Sequence, residues 1–407
     1  MAELRDAGQG ELALRYTVGA LALGNRARLS LSLPVRPEPY PSRRGGNRWV
    51  RAILPEPQLR DRLAVEFGLE ADDYSGMLFQ VGRDVAGAAV IVPTGEPESL
   101  GTERVALVTD DEVVGIIARM PTNPLGVDRE RGVRLSLAGA QEKLLLVLTS
   151  DERWGRPVDG YPSTHILKPE PSKYPGLATN ELFSLRLAET TGLEAASATI
   201  RTFATTPTLV VERYDRIRGA DSVRRIHQED LLSAIGRDPL HKYEQDAEYG
   251  SVGPSLNDLA GALSAHLGLA QLARFLDVVT FNAAIGNADA HARNISLLLH
   301  EDGSVGFAPL YDLVCTRVYV DVSSDLSQRI NGQHDIDLVT IDDLVAEAES
   351  WGLMDAFARR RVVDVVDRIR RSLDGAASAA IASGGNASTV DHVRETIETR
   401  TKRLLEP

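Results

Sequence analysis

The 407-residue sequence contains a single cysteine, Cys315, and only 5% aromatic residues. One cysteine excludes an intramolecular disulfide scaffold and a zinc site built from several thiolates. The sequence has no run of about 20 apolar residues, so we expect no membrane-spanning helix. Its N-terminus also lacks the basic-then-apolar order of a signal peptide. These absences predict a soluble protein of the reducing cytoplasm.

Positive charge is scarce as well, because 45 Lys and Arg stand against 58 Asp and Glu, giving a formal net charge of −13. Such an acidic chain is a poor candidate for binding nucleic acid over its whole surface. Residues 42–51 form the local exception, a basic cluster. Contact with nucleic acid or an acidic partner and an ordinary solvated loop both remain open for this cluster.

The hydropathy pattern changes along the chain from strand-like to helical. Strand patterns lie at 12–16, 29–33, 105–108, 144–148, 165–168 and 209–211. Helical patterns lie at 58–67, 180–193, 256–267, 272–285, 341–349, 354–369 and 390–405, with a small-residue tract at 375–388 that predicts a flexible connection. We therefore expect an α+β protein with a β-rich N-terminal domain over 1–102 and a second domain over 103–407.

The strongest candidate for chemistry is the polar segment Gly286–Asn294, which follows a helical pattern and is predicted to be a loop. Asn294 follows Asp289 by five positions, and a β-hairpin pattern then folds Asp312 back beside the loop. This spacing suits phosphoryl transfer, in which one Asp orients the attacking hydroxyl while an Asn and a second Asp hold Mg²⁺ on the phosphates. The alternative is a solvated polar turn that caps the helix.

Lys168 ends an apolar strand pattern, where a buried ammonium needs a partner. We predict that Lys168 holds phosphate groups, with Glu181 or Glu189 of the following helical pattern as its partner. The alternative is a strand-edge lysine that faces solvent.

Three further features give weaker signals. The small residues Ala138, Gly139 and Ala140 would let backbone N–H groups approach a phosphate, although an ordinary hairpin turn fits them equally well. Residues 211–215 follow a buried strand and are either a site of backbone contacts to adenine or a polar loop. His291 either positions the candidate catalytic loop or is only its polar neighbour.

In their order along the chain, these segments resemble the HipA family of toxin kinases from bacterial toxin–antitoxin modules. The segments that carry the resemblance are Ser136–Lys143, His165–Lys168, Val211–Arg216, His227–Asp230, Asp289–Asn294 and Tyr311–Asp312, together with Leu29–Tyr40, Leu54–Glu56 and Gly82–Ala88 in the first hundred residues.

The resemblance implies a Mg²⁺- and ATP-dependent serine/threonine protein kinase with a divergent two-lobed, protein-kinase-like fold. The small lobe would span about 103–215 and the helical large lobe about 216–407. By this resemblance Asp289 is the catalytic base with His291 beside it, and Asn294 and Asp312 are Mg²⁺ ligands. Lys168 contacts the ATP phosphates, and the backbone of Glu212 and Tyr214 contacts adenine. The phosphate loop contains Ala138, Gly139 and Ala140, and Ser136 is the site of autophosphorylation.

The resemblance further implies a toxin that phosphorylates a cellular protein, such as a translation component. Its partner would be a small helix-turn-helix antitoxin, and DNA contact would come only through the complex with that antitoxin. Two other classes stay open from the sequence: a catalytically silent kinase fold that acts as a corepressor or antitoxin-binding protein, and a small-molecule kinase. Transfer of labelled phosphate from ATP distinguishes these classes.

Overall fold

The structure, a computed structural model, describes residues 1–8, 11–42, 45–96, 104–120, 125, 141–219, 222–246 and 251–405. The chain folds as two compact units. The first unit comprises Met1–Pro169, Thr202–Glu229 and Leu298–Val305, and the second comprises Glu170–Arg201, Asp230–Leu297 and Gly306–Pro407. The domain boundaries near residues 102 and 215 stay predictions.

Strands and helices both occur in quantity. The strands are β1 (Ala2–Gly8), β2 (Glu11–Tyr16), β3 (Val105–Leu107), β4 (Leu144–Leu148), β5 (Trp154–Pro157), β6 (His165–Pro169), β7 (Ala198–Phe203), β8 (Thr206–Glu212), β9 (Arg216–Arg218), β10 (Val223–Arg225), β11 (His227–Asp230), β12 (Gln245–Asp246), β13 (Ser251–Val252), β14 (Ser296–Leu299), β15 (Val305–Phe307), β16 (Asp325–Ile330) and β17 (Gln333–Asp335). The helices are α1 (Val18–Leu23), α2 (Gly46–Ile53), α3 (Pro57–Phe67), α4 (Tyr74–Val81), α5 (Asp110–Arg119), α6 (Leu177–Thr190), α7 (Leu231–Ala234), α8 (Leu256–Leu267), α9 (Ala270–Ile285), α10 (Ile341–Ser350), α11 (Asp355–Ala382) and α12 (Ala387–Leu405).

The N-terminal segment packs helices against an antiparallel hairpin. Strand β1 pairs with β2, whose Leu12, Leu14 and Tyr16 are buried as the alternating pattern predicts. Residues of α2, α3 and α4 complete the same apolar core. In the part of this segment that the structure describes, helical residues outnumber strand residues, so the segment is more helical than the predicted β-rich domain.

The predicted strand at Leu29–Leu33 is wrong, because this segment forms a tight turn. Leu33 donates its backbone N–H to the carbonyl of Ser30 over 3.1 Å, and Ser32 donates its own to the Ser30 hydroxyl over 3.1 Å. Serine hydroxyls that bond nearby backbone compete with strand pairing. All three leucines are nevertheless buried, as is Ser30. The alternation of Leu and Ser therefore does not separate a buried face from a solvent-exposed face.

A six-stranded sheet carries the candidate phosphate-binding lysine. The strand order is β3-β5-β4-β6-β8-β7, so β6 lies in the interior of the sheet. The antiparallel pairing of β6 with β8 sets Lys168 opposite Leu209 and His165 opposite Glu212. Helix α5 and the strands share an apolar core. The strand predictions at 144–148 and 165–168 are confirmed.

The second unit is built around the long helix α11, which packs against α6, α9, α10 and α12. The predicted flexible connection at 375–388 is wrong, because α11 continues to Ala382 and α12 begins at Ala387. Ala376 and Ala380 are fully buried. Small side chains here allow close packing of neighbouring helices. The same small-residue composition is also typical of flexible connections, which is why the sequence pattern predicted one.

Within the described ranges, no helix is both long enough and apolar enough to cross a bilayer.

Candidate active site

The candidate catalytic loop begins where α9 ends at Gly286. Gly286 has a φ of 77°, and its N–H group bonds the Ala283 carbonyl over 3.2 Å. A Cβ atom at this position would lie 2.8 Å from Nε of Arg400 and 2.9 Å from Cγ of Arg317. Both the left-handed backbone and the close packing therefore require glycine, which turns the chain sharply out of the helix.

Two hydroxyl residues bond the backbone of the candidate catalytic loop. Thr316 accepts the Ala288 N–H group over 3.1 Å and donates its hydroxyl to the Gly286 carbonyl over 2.9 Å. Ser327 donates both its backbone N–H and its hydroxyl to the Ala288 carbonyl, each over 3.0 Å. The alanine between these contacts is buried, whereas the neighbouring Asp289 is exposed. The loop thus presents Asp289 to solvent from a rigid base.

Helix α12 contacts the end of α9 through Arg400. Arg400 donates to the carbonyls of Ala283 and Ile336 over 3.0 and 3.1 Å, and it forms an ion pair with Asp337. The Ala283 carbonyl, in the last turn of α9, therefore accepts from Arg400 as well as from the Gly286 N–H group. The terminal helix therefore fixes the point at which the loop leaves α9.

Two side chains bond Asp289 directly. The Asn294 side chain donates its Nδ2 to the Asp289 carbonyl over 2.9 Å. The Tyr243 hydroxyl donates to Oδ1 of Asp289 over 3.0 Å. Because the Asn294 nitrogen is committed to the loop backbone, the amide oxygen of Asn294 is the atom presented for other contacts.

The hairpin of β14 and β15 is confirmed, and it returns the chain to the loop. The Tyr311 hydroxyl donates to the Arg293 carbonyl over 2.7 Å and lies 2.6 Å from the Ser296 hydroxyl. The Asn287 side chain reaches the Asp312 carbonyl over 3.5 Å. The structure thus brings Asp312 beside the loop that holds Asp289 and Asn294.

Asp312 itself adopts a left-handed backbone conformation, with a φ of 52°. This conformation costs on the order of 1 kcal/mol for a residue with a Cβ atom and is kept only where the surroundings enforce it. Asn180 holds the segment that follows Asp312, because its side chain donates to the Cys315 carbonyl and accepts the Cys315 N–H, both over 2.9 Å.

The donor atoms at Asn294 and Asp312 fit Mg²⁺. Both side chains offer hard oxygen ligands, a carboxylate and an amide oxygen, which Mg²⁺ prefers. No group of three or more His, Cys, Asp or Glu side chains suited to a metal occurs in the ranges that the structure describes. Mg²⁺ that arrives with substrate phosphates needs only one or two protein oxygens, and Asn294 and Asp312 can supply that number.

His291 is buried, and its imidazole is neutral at physiological pH. Burial, with a smaller contribution from the cations Lys242 and Arg293, lowers the pKa of His291 to about 3. Its Nδ1 has no hydrogen-bond partner among the described residues, and its ring packs edge-on against Tyr243 with centroids 5.5 Å apart. These contacts favour a positioning role for His291 over proton transfer.

Lys168 is buried in the interior strand β6, and Glu181 is buried in α6. The solvent-facing alternative for Lys168 therefore does not apply. Glu189 is exposed and bonds Arg186 over 2.7 Å. Glu181 is the acid on α6 whose burial demands a polar partner.

The segment proposed to meet adenine follows β8. The Glu212 side chain is exposed, and the Tyr214 hydroxyl donates to the side-chain oxygen of Gln228. Arg213, between them, is buried and donates its backbone N–H to the Thr164 carbonyl over 2.9 Å. The backbone of this segment is therefore anchored to the sheet while Glu212 faces outward.

A buried ionic network, which we call the Asp84 network, holds this segment. It comprises Asp84, Arg213, Asp215 and Arg216, all less than 6% exposed. Oδ1 of Asp84 accepts from Arg216 over 2.8 Å, and Oδ2 accepts the Ser163 N–H over 2.9 Å. Burial alone would raise the pKa of Asp84, but Arg216, Arg213 and Arg225 outweigh burial and hold the pKa below its ordinary value. Asp84 is therefore ionised.

The second carboxylate of the Asp84 network binds the N-terminal segment directly. Asp215 accepts two bonds from Arg213, over 3.0 and 2.8 Å, and accepts the Gly87 N–H over 2.7 Å. Gly87 has a φ of 78°, and a Cβ atom there would lie 2.8 Å from the backbone nitrogen of Gln228. Residues 84–87 and 213–216 thus form one polar core inside the first unit.

The phosphate-loop prediction lies outside the described residues. Ser136, Ala138, Gly139 and Ala140 all belong to the gap before residue 141. Their predicted roles stay predictions.

Sequence reasoning missed three features: the contacts of Tyr243, the contacts of Asn180 and the pairing within the Asp84 network. Each involves partners distant in sequence and a side chain type that is common on surfaces. The only available signal was the appearance of residues 82–88 and 211–216 in the family resemblance, which gave no indication that the two segments touch.

The structure predicts a loss of stability as the pH falls from about 7 to 5. Burial lowers the pKa of His165 to about 4, and it also lowers the pKa values of His227 and His291. The unfolded chain binds a proton at each histidine near pH 6.5, whereas the folded chain does not. Stability is therefore complete above that pH and falls below it, by about 2 kcal/mol for His165 at pH 5.

Urea unfolding at pH 7.5 and pH 5 measures this loss. A His165→Gln variant is the control, because it removes one titrating group and should make the difference between the two pH values smaller. Equal free energies of unfolding at both pH values in the wild type would show that these histidines titrate normally in the folded chain.

Comparison with protein families gives two matches, which follow one another along the chain. Residues 1–92 match the HipA N-terminal domain, and residues 135–375 match the HipA-like C-terminal domain. The chain is 36% identical over 405 residues to the putative kinase Y4mE of Sinorhizobium fredii, covering 97% of this chain and 93% of that protein. It is 30% identical over 369 residues to the serine/threonine-protein kinase toxin HipA of Shewanella oneidensis, covering 87% and 82% respectively.

Among solved structures, the chain resembles HipA of Shewanella oneidensis MR-1, determined in a complex of HipA, HipB and operator DNA. The TM-score is 0.84 at 27% sequence identity, over 100% of this chain and 95% of that one. The predicted α+β, kinase-like fold is therefore confirmed. The chain belongs to the HipA family.

Proposed function

We propose that this chain is a Mg²⁺- and ATP-dependent serine/threonine protein kinase that acts as the toxin of a toxin–antitoxin module. The observation that carries the proposal is the exposed Asp289 on a rigid loop, with Asn294 bonded to its backbone and Asp312 held beside it. Membership of a family that includes a serine/threonine-protein kinase toxin supports the same conclusion.

In this proposal Asp289 is the catalytic base, which orients the acceptor hydroxyl and takes up its proton. Asn294 and Asp312 would hold Mg²⁺, which neutralises charge on the transferred phosphate when bound. Lys168 binds the ATP phosphates as a point charge, and His291 positions the loop. The backbone of Glu212 and Tyr214 binds adenine, and the small residues Ala138, Gly139 and Ala140 admit the phosphates.

The proposal extends to regulation and partners. Phosphate on Ser136 would add a charge of about −1.5 to −2 close to the ATP phosphates and would expel either the nucleotide or the loop. A small helix-turn-helix antitoxin is proposed as the partner, and DNA is contacted only through that complex. The solved complex of HipA with HipB and operator DNA supports this arrangement. The domain division at residue 102 and the cytoplasmic location are proposed on the sequence alone.

The test is incubation of the purified chain with Mg²⁺ and γ-labelled ATP, alone and with a lysate of small molecules and proteins. We expect label on Ser136 of the chain itself and on a protein acceptor, located by mass spectrometry. An Asp312→Asn variant, which loses the proposed metal carboxylate, should give neither label. Label in metabolites alone would identify a small-molecule kinase, and absence of label from the wild type would leave the binding-protein alternative.

A further inference from the structure

A residue that no sequence motif marked contacts the proposed base. Tyr243 donates its hydroxyl to Oδ1 of Asp289 over 3.0 Å. This length lies at the upper end of the range for an O–H···O hydrogen bond. Asp289 remains exposed while the bond is made, so the contact does not bury the carboxylate.

The backbone around Tyr243 is anchored to the strand β16. Glu244 donates its N–H to the Ser327 carbonyl over 2.8 Å, and its side chain accepts the Arg329 N–H over 2.6 Å. The Gln328 side chain donates to the Lys242 carbonyl over 2.7 Å. The two residues that flank Tyr243 in sequence are therefore both tied to β16.

The same strand also holds the candidate catalytic loop. Ser327 donates twice to the carbonyl of Ala288, the residue before Asp289. One rigid element therefore sets the positions of both the phenol and the carboxylate. Preorganised groups of this kind need no rearrangement when the reaction occurs.

The Tyr243 ring is constrained as well. It packs edge-on against His291, with centroids 5.5 Å apart and an interplanar angle of 67°. The ammonium group of Lys242 lies 5.1 Å from the ring centroid. The ring therefore has a defined orientation that is independent of its hydroxyl bond.

From these contacts we infer that Tyr243 is a positioning residue for phosphoryl transfer, which fixes the rotamer of the Asp289 carboxylate through the hydroxyl bond to Oδ1. This inference rests on the proposed function, in which Asp289 is the base. A fixed carboxylate meets the acceptor hydroxyl in one geometry, which raises the rate of transfer without changing the binding of ATP.

The test compares Tyr243→Phe with wild type in the incorporation of label from γ-labelled Mg-ATP into the chain itself, over a range of ATP concentrations. Phenylalanine keeps the ring on His291 and removes only the hydroxyl. We expect the maximal rate to fall by about tenfold, which is the scale of one lost hydrogen bond. The ATP concentration for half-maximal rate and the melting temperature should stay unchanged.

The matched control is Tyr40→Phe, which removes a hydroxyl bonded to the Pro34 carbonyl over 2.6 Å, outside the site. Its rate should equal that of the wild type. In an Asp289→Asn background, Tyr243→Phe should lower the residual rate no further, because its effect acts through the carboxylate. A purely structural role for Tyr243 would instead lower the rate in both backgrounds.

An unchanged or increased rate in Tyr243→Phe would overturn the inference and leave the proposed function intact. An increased rate would show that the hydroxyl blocks the acceptor rather than orienting the base. Wild-type activity in Asp289→Asn would overturn both the assignment of the base and the inference.

Discussion

Replacement of Asp289 by asparagine is expected to lower the rate of phosphoryl transfer by about a thousandfold, the scale of a lost general base. Asparagine has nearly the same shape but cannot take up the proton of the acceptor hydroxyl. Folding should be preserved, because the Asp289 side chain is exposed and the backbone bonds to Ala288 and Asn294 do not depend on it. The measurement is incorporation of labelled phosphate, alongside thermal melting.

Two variants make this result specific. Asp302→Asn changes another exposed aspartate, one in the β14–β15 turn, and should retain full activity. Lys168→Ala should instead raise the ATP concentration needed for half-maximal rate, because the ammonium that we propose to neutralise phosphate is lost. Retention of the wild-type rate by Asp289→Asn would show that another group acts as the base.

Replacement of Asp84 by alanine is expected to lower the free energy of unfolding by about 3–5 kcal/mol, the usual cost of breaking a buried ion pair from one side. The change leaves the guanidinium groups of Arg213 and Arg216 buried with half of their countercharge removed. It also removes the acceptor of the Ser163 N–H group. Urea unfolding at neutral pH measures the loss.

The control for this experiment is Glu301→Gln, which breaks an exposed pair between Glu301 and Arg224 in the same unit. Exposed pairs contribute about 0–1 kcal/mol, so this variant should be close to wild type. A loss below about 1 kcal/mol for Asp84→Ala would mean that water enters the site and solvates the arginines.

The elements that sequence reasoning predicted well have local causes. The helix α9, its glycine stop and the hairpin of β14 and β15 each follow from a periodic pattern bounded by a turn signal. Those three elements together bring Asp312 beside Asp289. The proximity of Asp289 and Asp312 in the fold could therefore be predicted from the sequence.

The features that sequence reasoning missed depend on side-chain bonds that compete with regular structure or on packing against distant partners. The alternating leucines at 29–33 were read as a strand, but serine hydroxyls closed a turn whose packing buries every leucine. The alanine-rich end of α11 was read as flexible, although its small side chains are buried between helices. Tyr243 had no local signal at all, because its role depends on β16, more than eighty positions further along.

The single cysteine gives the protein a built-in reporter of motion at the proposed metal site. Burial raises the pKa of the Cys315 thiol to about 11, so little reactive thiolate exists at neutral pH in the closed state. Cys315 lies three positions after Asp312, and the Asn180 side chain bonds its main chain. Alkylation of the native protein therefore requires local opening of this segment, and the alkylation rate measures the frequency of that opening. Any ligand that tightens the segment would be detected as slower labelling, without an introduced probe.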